Sequence, residues 1–211
     1  MNCDHTEVLV VDLEATCWER GQEPAGVKSE IIEVGICVLI PKTGEILNPT
    51  SILVKPVNST VSEFCTSLTT LTQDQVDTGV SLAEACEQLI RDFHSPKYPW
   101  ASFGNYDRDM FWKQCQEKNL KYPFSANHLN IKTLFSVMRF IKHGKGMSKA
   151  MKIEGIPLIG THHRGIDDAY NIAKVLRNLL AGKDTIKVDR FSERQGFPVY
   201  DADVLKCRGQ I

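Results

Sequence analysis

The stretch Val8-Leu9-Val10-Val11-Asp12-Leu13-Glu14-Ala15-Thr16 limits what this chain can fold into more than any other. It is a short, almost wholly apolar run bounded by polar residues, which reads as a buried strand, and it carries two carboxylates near its end. Side chains alternate along a strand, so Asp12 and Glu14 share one face, a pleat apart. Two acids directed together into apolar surroundings repel each other and are costly to desolvate. A divalent cation relieves both problems, and hard oxygen donors favour Mg²⁺, Mn²⁺ or Ca²⁺ over a thiol-preferring metal. The plainer alternative is a strand running out into a polar loop, with both acids hydrated.

The rest of the chain supplies a sheet for that strand. A polar loop with Gly and Pro covers 18–29, and 30–40 reads as a second strand, apolar except for Glu33. The turn Pro41-Lys42-Thr43-Gly44 leads back into a third strand over 45–54, where Pro49 argues for an edge or a bulge. Short connections make these three an antiparallel meander. Two capping boxes follow, Thr72 to Gln75 and Ser81 to Glu84, and the second opens a helix with Leu82, Cys86, Leu89 and Phe93 on one face. A buried strand is expected at 100–103 and a helix at 107–120. A short strand over 129–134 runs into an apolar stretch through Phe140, and helices follow at 148–154 and 165–180. Three strands and then alternating helix and strand describe an α/β fold with a mixed sheet of the ribonuclease-H-like kind, flanked by helices. From about Gly182 the chain turns polar, so 1–182 is read as one domain and 183–211 as a C-terminal extension.

Composition narrows the partners. With 25 basic against 26 acidic residues the chain has no bulk field for nucleic acid or membrane, so a polyanion must be held by a local patch or a metal. Seven cysteines are scattered with no CxxC pair, which suggests neither a zinc site nor a disulfide framework. Cys37, Cys86 and Cys115 fall within apolar patterns as core thiols and fit a reducing compartment. No run approaches the length of a membrane span, and Met1-Asn2-Cys3-Asp4-His5 lacks the features of a signal peptide, so a cytoplasmic protein is expected.

Helical position separates two pairs of adjacent acids. At about 100° per residue, Asp107 lies with Met110, Phe111 and Cys115 on the inward face, whereas Asp109 lies opposite. In the last helix Asp168 sits at the edge of a stripe formed by Ile166, Ala169, Ile172, Ala173, Leu176 and Leu180, while Asp167 points away. His163 precedes Asp168 by five residues, on the loop before the helix, where it can overhang whatever Asp168 binds.

Asp12-Leu13-Glu14, the inward Asp107 and His163-Arg164-Gly165-Ile166-Asp167-Asp168 together resemble the DEDDh (DnaQ-like) 3′-to-5′ exonucleases, over roughly residues 6–182. Asp12 to Cys17, Phe64-Cys65-Thr66-Ser67-Leu68-Thr69 followed by Thr72-Gln73, and Asn171-Ile172-Ala173 resemble one branch. That branch trims histone-messenger, ribosomal and small interfering RNA 3′ ends, and has bacterial relatives. The resemblance implies phosphodiester hydrolysis with two Mg²⁺ or Mn²⁺ ions. Asp12 would bridge them, Glu14 and Asp168 would complete the first, Asp107 would hold the second directly or through water, and His163 would be the general base. It also implies that the backbone of Ala15 and Thr16 meets the terminal sugar.

Aromatic residues near the site, Trp18, Phe64, Phe103 and Tyr106, are candidates for stacking terminal bases or for core packing; some relatives carry tryptophan where Tyr106 stands. Arg139, Lys142, His143, Lys145, Lys149 and Lys152 form a local basic cluster, either a solvated face or a track for a single-stranded RNA backbone. A DNA exonuclease and a regulatory binding protein that keeps the fold are the competing functions.

Overall fold

The computed structural model describes residues 7–142 and 144–182, so the extension expected at 183–211 and His143 lie outside the described residues. Strands β1 (Val8–Ala15), β2 (Ile31–Ile40) and β3 (Glu45–Leu53) form the antiparallel meander, and β4 (Trp100–Ser102) and β5 (His128–Asn130) extend it in the order β3-β2-β1-β4-β5. β1 runs parallel to β4 and β4 to β5, so the sheet is mixed. β3 is an edge strand, which is where Pro49 is tolerated because no neighbour needs its missing N–H.

Helices cover both faces. Leu9, Val11 and Leu13 point into one core with α3 (Leu82–Phe93) and α4 (Tyr106–Glu117). Val10 and Cys37 point into the other, with α5 (Ile131–Met138), α6 (Met147–Glu154) and α7 (Gly165–Leu180). β2 is buried along nearly its whole length, which is why it reads as an apolar run broken only by Glu33. Two short helices, α1 (Glu63–Thr69) and α2 (Gln73–Asp77), cross the connection from β3 to α3. Both expected capping boxes close, at Thr72/Gln75 and Ser81/Glu84. Among the described residues no helix is long and apolar enough to cross a membrane.

Two expectations need correction, and one helix adds to them. The strand expected at 129–134 ends at Asn130, and Ile131–Met138 is helix α5. Asn130 stops the strand by capping that helix, its side chain accepting the Thr133 N–H at 3.0 Å. In α7, Leu180 is 48% exposed rather than part of the buried stripe, because the helical phase puts Leu179, 1% exposed, against the core in the last turn. Helix α1 was not expected at all; Ser62 caps it by accepting the Cys65 N–H.

The position of α7 rests on two glycines. A Cβ on Gly35 of β2 would stand 1.9 Å from the carbonyl carbon of Gly165, so the start of α7 lies directly on the strand backbone. A Cβ on Gly165 would in turn meet the Gly35 nitrogen at 3.0 Å and the Asp12 carbonyl oxygen at 3.3 Å. Gly35 pairs with Asp12 across the ladder, so this contact brings the first turn of α7 over the acid end of β1.

Candidate active site

Carboxylates from three elements converge at the C-terminal end of β1. Oxygens of Asp12, Glu14 and Asp168 lie within 4.8 Å of one another. Asp107, in the first turn of α4, accepts the Leu13 N–H at 3.0 Å and is thereby fastened to the residue between the two strand acids. Glu14, Asp107 and Asp168 are buried, whereas Asp109 is turned to solvent and paired with Arg108. Asp167 also points away from the cluster, accepting the Thr161 N–H at 2.7 Å.

His163 sits on the loop before α7 with a φ of +66°, an uncommon conformation for a side-chain-bearing residue. Its backbone N–H donates to Asp168 Oδ2 at 2.9 Å, which stabilises the bend. The adjacent His162 directs Nδ1 at the same carboxylate, 2.9 and 3.2 Å from its two oxygens. The two imidazoles stack, 4.0 Å between centroids and 17° between planes.

A further acid holds the loop from below. Glu33, fully buried and opposite Glu14 in the β1–β2 ladder, accepts the Gly165 N–H at 2.9 Å and Arg164 Nε at 3.2 Å. It also accepts the Ser51 hydroxyl. The sequence marks Glu33 as the polar residue of an apolar strand, but spacing alone does not show what it holds, and nothing in the spacing distinguishes His162.

The electrostatics are those of a crowded, poorly hydrated acid cluster. Loss of hydration, followed by repulsion from Asp107, Glu14, Asp168 and Glu33, holds the Asp12 carboxyl well above its ordinary range. Burial, then Asp168, Glu33 and Asp107, pushes Glu14 up to about 8, with Arg164 opposing. Burial also raises Asp107 and Asp168, although backbone N–H groups from Leu13 and His163 pull each partly back. His163 moves the other way: burial and then His162 lower its pKa, so the ring is neutral near pH 7. Oxygen-only donors, mutual repulsion and the burial of Glu14, Asp107 and Asp168 around the partly exposed Asp12 make the four acids a fitting cradle for hard divalent ions.

The RNase_T exonuclease family model matches residues 9–176. The chain belongs to this exonuclease family. It is 35% identical over 185 residues to the rat 3′-5′ exoribonuclease 1, covering 82% of this chain and 52% of that protein. It is 27% identical to the Drosophila melanogaster 3′-5′ exonuclease Snipper, covering 82% of this chain and 68% of the fly protein. The chain thus spans about half the length of the mammalian exoribonuclease 1 proteins it matches. Among solved structures, the nuclease domain of 3′hExo, a DEDDh family member bound to rAMP, superposes with a TM-score of 0.76 at 29% identity. That match covers 86% of this chain and 94% of the other.

Around these acids, the other candidate residues separate by environment. Thr16 is fully buried, and its polar groups are engaged. Its N–H donates to the Glu30 carbonyl, and its hydroxyl accepts the Glu30 N–H at 2.9 Å and meets Ser59 Oγ at 2.9 Å. Glu30 accepts the N–H groups of Val57, Asn58 and Ser59, so Thr16 is part of a braced wall. The Ala15 carbonyl meets Cys65 Sγ at 3.6 Å. Trp18 and Phe64 line an open groove with Ser62 and Ser67. Tyr106 is 58% exposed, and burial of its hydroxyl, followed by Asp107, raises its pKa to about 12. Phe103 packs against the core beneath α7.

In the basic segment, Arg139 is clasped by Glu154 at 2.7 and 3.1 Å, with both side chains largely buried. It is a structural pair and no part of an open cationic track. Lys142, Lys149 and Lys152 are exposed and Lys145 is half-buried.

Proposed function

We propose that this chain is a metal-dependent 3′-to-5′ exonuclease that hydrolyses single-stranded RNA 3′ ends to nucleoside 5′-monophosphates, with two Mg²⁺ or Mn²⁺ ions per site. The observation that carries the reading is the meeting of Asp12, Glu14 and Asp168 within 4.8 Å, with Asp107 bonded to Leu13 between them. The exoribonuclease names of its relatives and the bound rAMP of the 3′hExo nuclease domain support RNA as substrate.

In this reading Asp12, Glu14 and Asp168 would hold the ions together with Asp107, which is bonded to Leu13 beside them. Bound there, divalent ions would supply positive charge for phosphodiester hydrolysis. His163 takes the proton from the attacking water, a task for which its lowered pKa keeps it in the base form. The ring hangs beside Asp168 because the His163 backbone N–H is bonded to that carboxylate. The wall of Ala15 and Thr16 faces the terminal sugar, where a 2′-hydroxyl distinguishes RNA from DNA. Trp18 and Phe64 in their groove and the exposed Tyr106 offer surfaces for the last bases. The catalytic unit is 1–182, with 183–211 as an extension, and the free thiols suit the reducing cytoplasm.

The test is release of mononucleotides from 5′-labelled RNA and DNA strands with Mg²⁺ or Mn²⁺, and its loss with EDTA. Faster shortening of RNA supports the proposal, faster shortening of DNA moves the enzyme to DNA ends, and binding without shortening makes it a regulatory protein on the same fold.

A further inference from the structure

The loop into α7 carries more ligating atoms than the proposed hydrolysis uses. Among the described residues, two sets of three side chains place donor atoms within 4.8 Å of one another: Asp12, Glu14 and Asp168, and His162, His163 and Asp168. The sets share one carboxylate and differ in everything else. The first is all oxygen, suited to hard cations; the second has two imidazoles and one carboxylate, a donor set that Zn²⁺, Co²⁺ and Ni²⁺ bind far more tightly than Mg²⁺ does.

We propose that His162, His163 and Asp168 form a second metal site, selective for a borderline-soft divalent ion of the Zn²⁺ class, and that filling it switches the nuclease off. The inhibitory part rests on the nuclease reading; the site itself does not.

Zn²⁺ sits about 2.0–2.1 Å from its ligands, which places tetrahedral neighbours about 3.3 Å apart. His162 Nδ1 already stands 2.9 and 3.2 Å from the two Asp168 oxygens, so this pair needs little rearrangement. The stacked rings put the second imidazole on the same side of the carboxylate, and a rotation of the His163 ring completes the set. Asp168 is held in place by the His163 backbone N–H, which fixes the acid without engaging the His163 ring nitrogens. His162 is 37% exposed, so an ion has a path from solvent. Without an ion, Nδ1–H of His162 donates to Asp168; an ion replaces that hydrogen, and the ring proton is carried on Nε2. Occupancy ties up the lone pair His163 needs as a base. It also takes Asp168 from the hard-ion cradle.

Co²⁺ serves as the probe, because its visible bands report nitrogen and oxygen ligation without turnover. The titration uses the full chain in millimolar Mg²⁺, as wild type and as Asp12→Asn, which weakens the all-oxygen site and spares the other. One Co²⁺ per chain, displaced by Zn²⁺ and weakened about tenfold or more in both His162→Gln and His162→Asn, is the expected result. The two variants guard against one that distorts the loop, which circular dichroism and melting would reveal. In parallel, Zn²⁺ should half-inhibit the Mg²⁺-supported reaction at a concentration at least about tenfold lower in wild type than in either variant, each measured against its own uninhibited rate. Equal Co²⁺ binding in wild type and both variants overturns the site, and leaves His162 as a hydrogen-bond prop for Asp168. Equal inhibition with altered Co²⁺ binding overturns the switch. Absence of any RNA hydrolysis sinks the nuclease reading while the Co²⁺ titration still decides the site.

Discussion

The strand acids and the loop that faces them reach one pocket by different means. Asp12 and Glu14 are placed by the β1–β2 ladder, whose register runs unbroken through both. Asp107 is tied to that same backbone at Leu13. His163 and Asp168 are placed by the packing of α7 on the sheet, with the Glu33 carboxylate on Gly165 and Arg164, the Asp168 carboxylate on His163, and the backbone seat of Gly165 on Gly35. The strand side is an outcome of sheet formation, whereas the loop side is assembled on top of it. Substitutions on the first should therefore alter chemistry with the fold intact, and substitutions under the second should move chemistry and stability together.

The largest effect that sharpens this contrast is expected from Asp12→Asn. RNA hydrolysis should fall at least about a thousandfold, since metal-borne charge stabilisation is worth several kcal/mol. The metal-free melting temperature should not fall, because a repelling charge is removed. Near-normal turnover in this variant would falsify the assignment of the cluster. Next comes His163→Ala, for which kcat should drop by about two to four orders of magnitude with KM little changed.

Glu33→Ala tests the loop side. It strips a buried carboxylate from Arg164 and from the first N–H of α7, at a cost of roughly 3 kcal/mol in urea unfolding. Activity should fall as well, and a variant that loses activity with no loss of stability would break the distinction between the two sides.

A smaller effect concerns pH. The folded chain raises Glu14 to about 8, with Asp12, Asp107 and Asp168 raised as well, above the values they have when unfolded. Between those limits the native state holds protons that the unfolded state has released. Stability of the metal-free protein is therefore greatest below the unfolded values and declines as pH rises through about 8. His163, lowered by folding, acts in the opposite sense at the acid end. Melting curves from pH 6 to 9 in EDTA should show the decline, and saturating Mg²⁺ should flatten it. The smallest change is expected from charge reversal at Lys145 and Lys149, which belong to neither side. RNA affinity at low salt should weaken, and the salt dependence should lose roughly 0.7 of slope for each phosphate contact removed. Unchanged affinity would leave these lysines as a solvated face.

How much of this was legible in the sequence follows the same division. Strands announce themselves by apolar runs, so β1, β2 and the shared face of Asp12 and Glu14 could be read directly. Helical phase was enough to separate Asp107 from Asp109 and Asp168 from Asp167, because the buried residues around each are regular. Ile131–Met138 escaped because a short apolar run has no clear period, and the decisive signal, Asn130 as a cap, is a single residue. Arg139 read as part of a cationic cluster because its partner Glu154 lies fifteen residues away on α6. His162, Glu33 and the Gly35–Gly165 seat were hidden for one reason: each works through a partner brought near only by the tertiary fold.

That seat has a consequence for how such a protein tolerates change over generations. Two residues without any functional group set the distance between the halves of the pocket, and even a methyl group on Gly35 would lever the whole helix outward. A saturation scan scored on growth or turnover should therefore record some of its harshest penalties at Gly35 and Gly165, positions that a search for reactive groups would pass over.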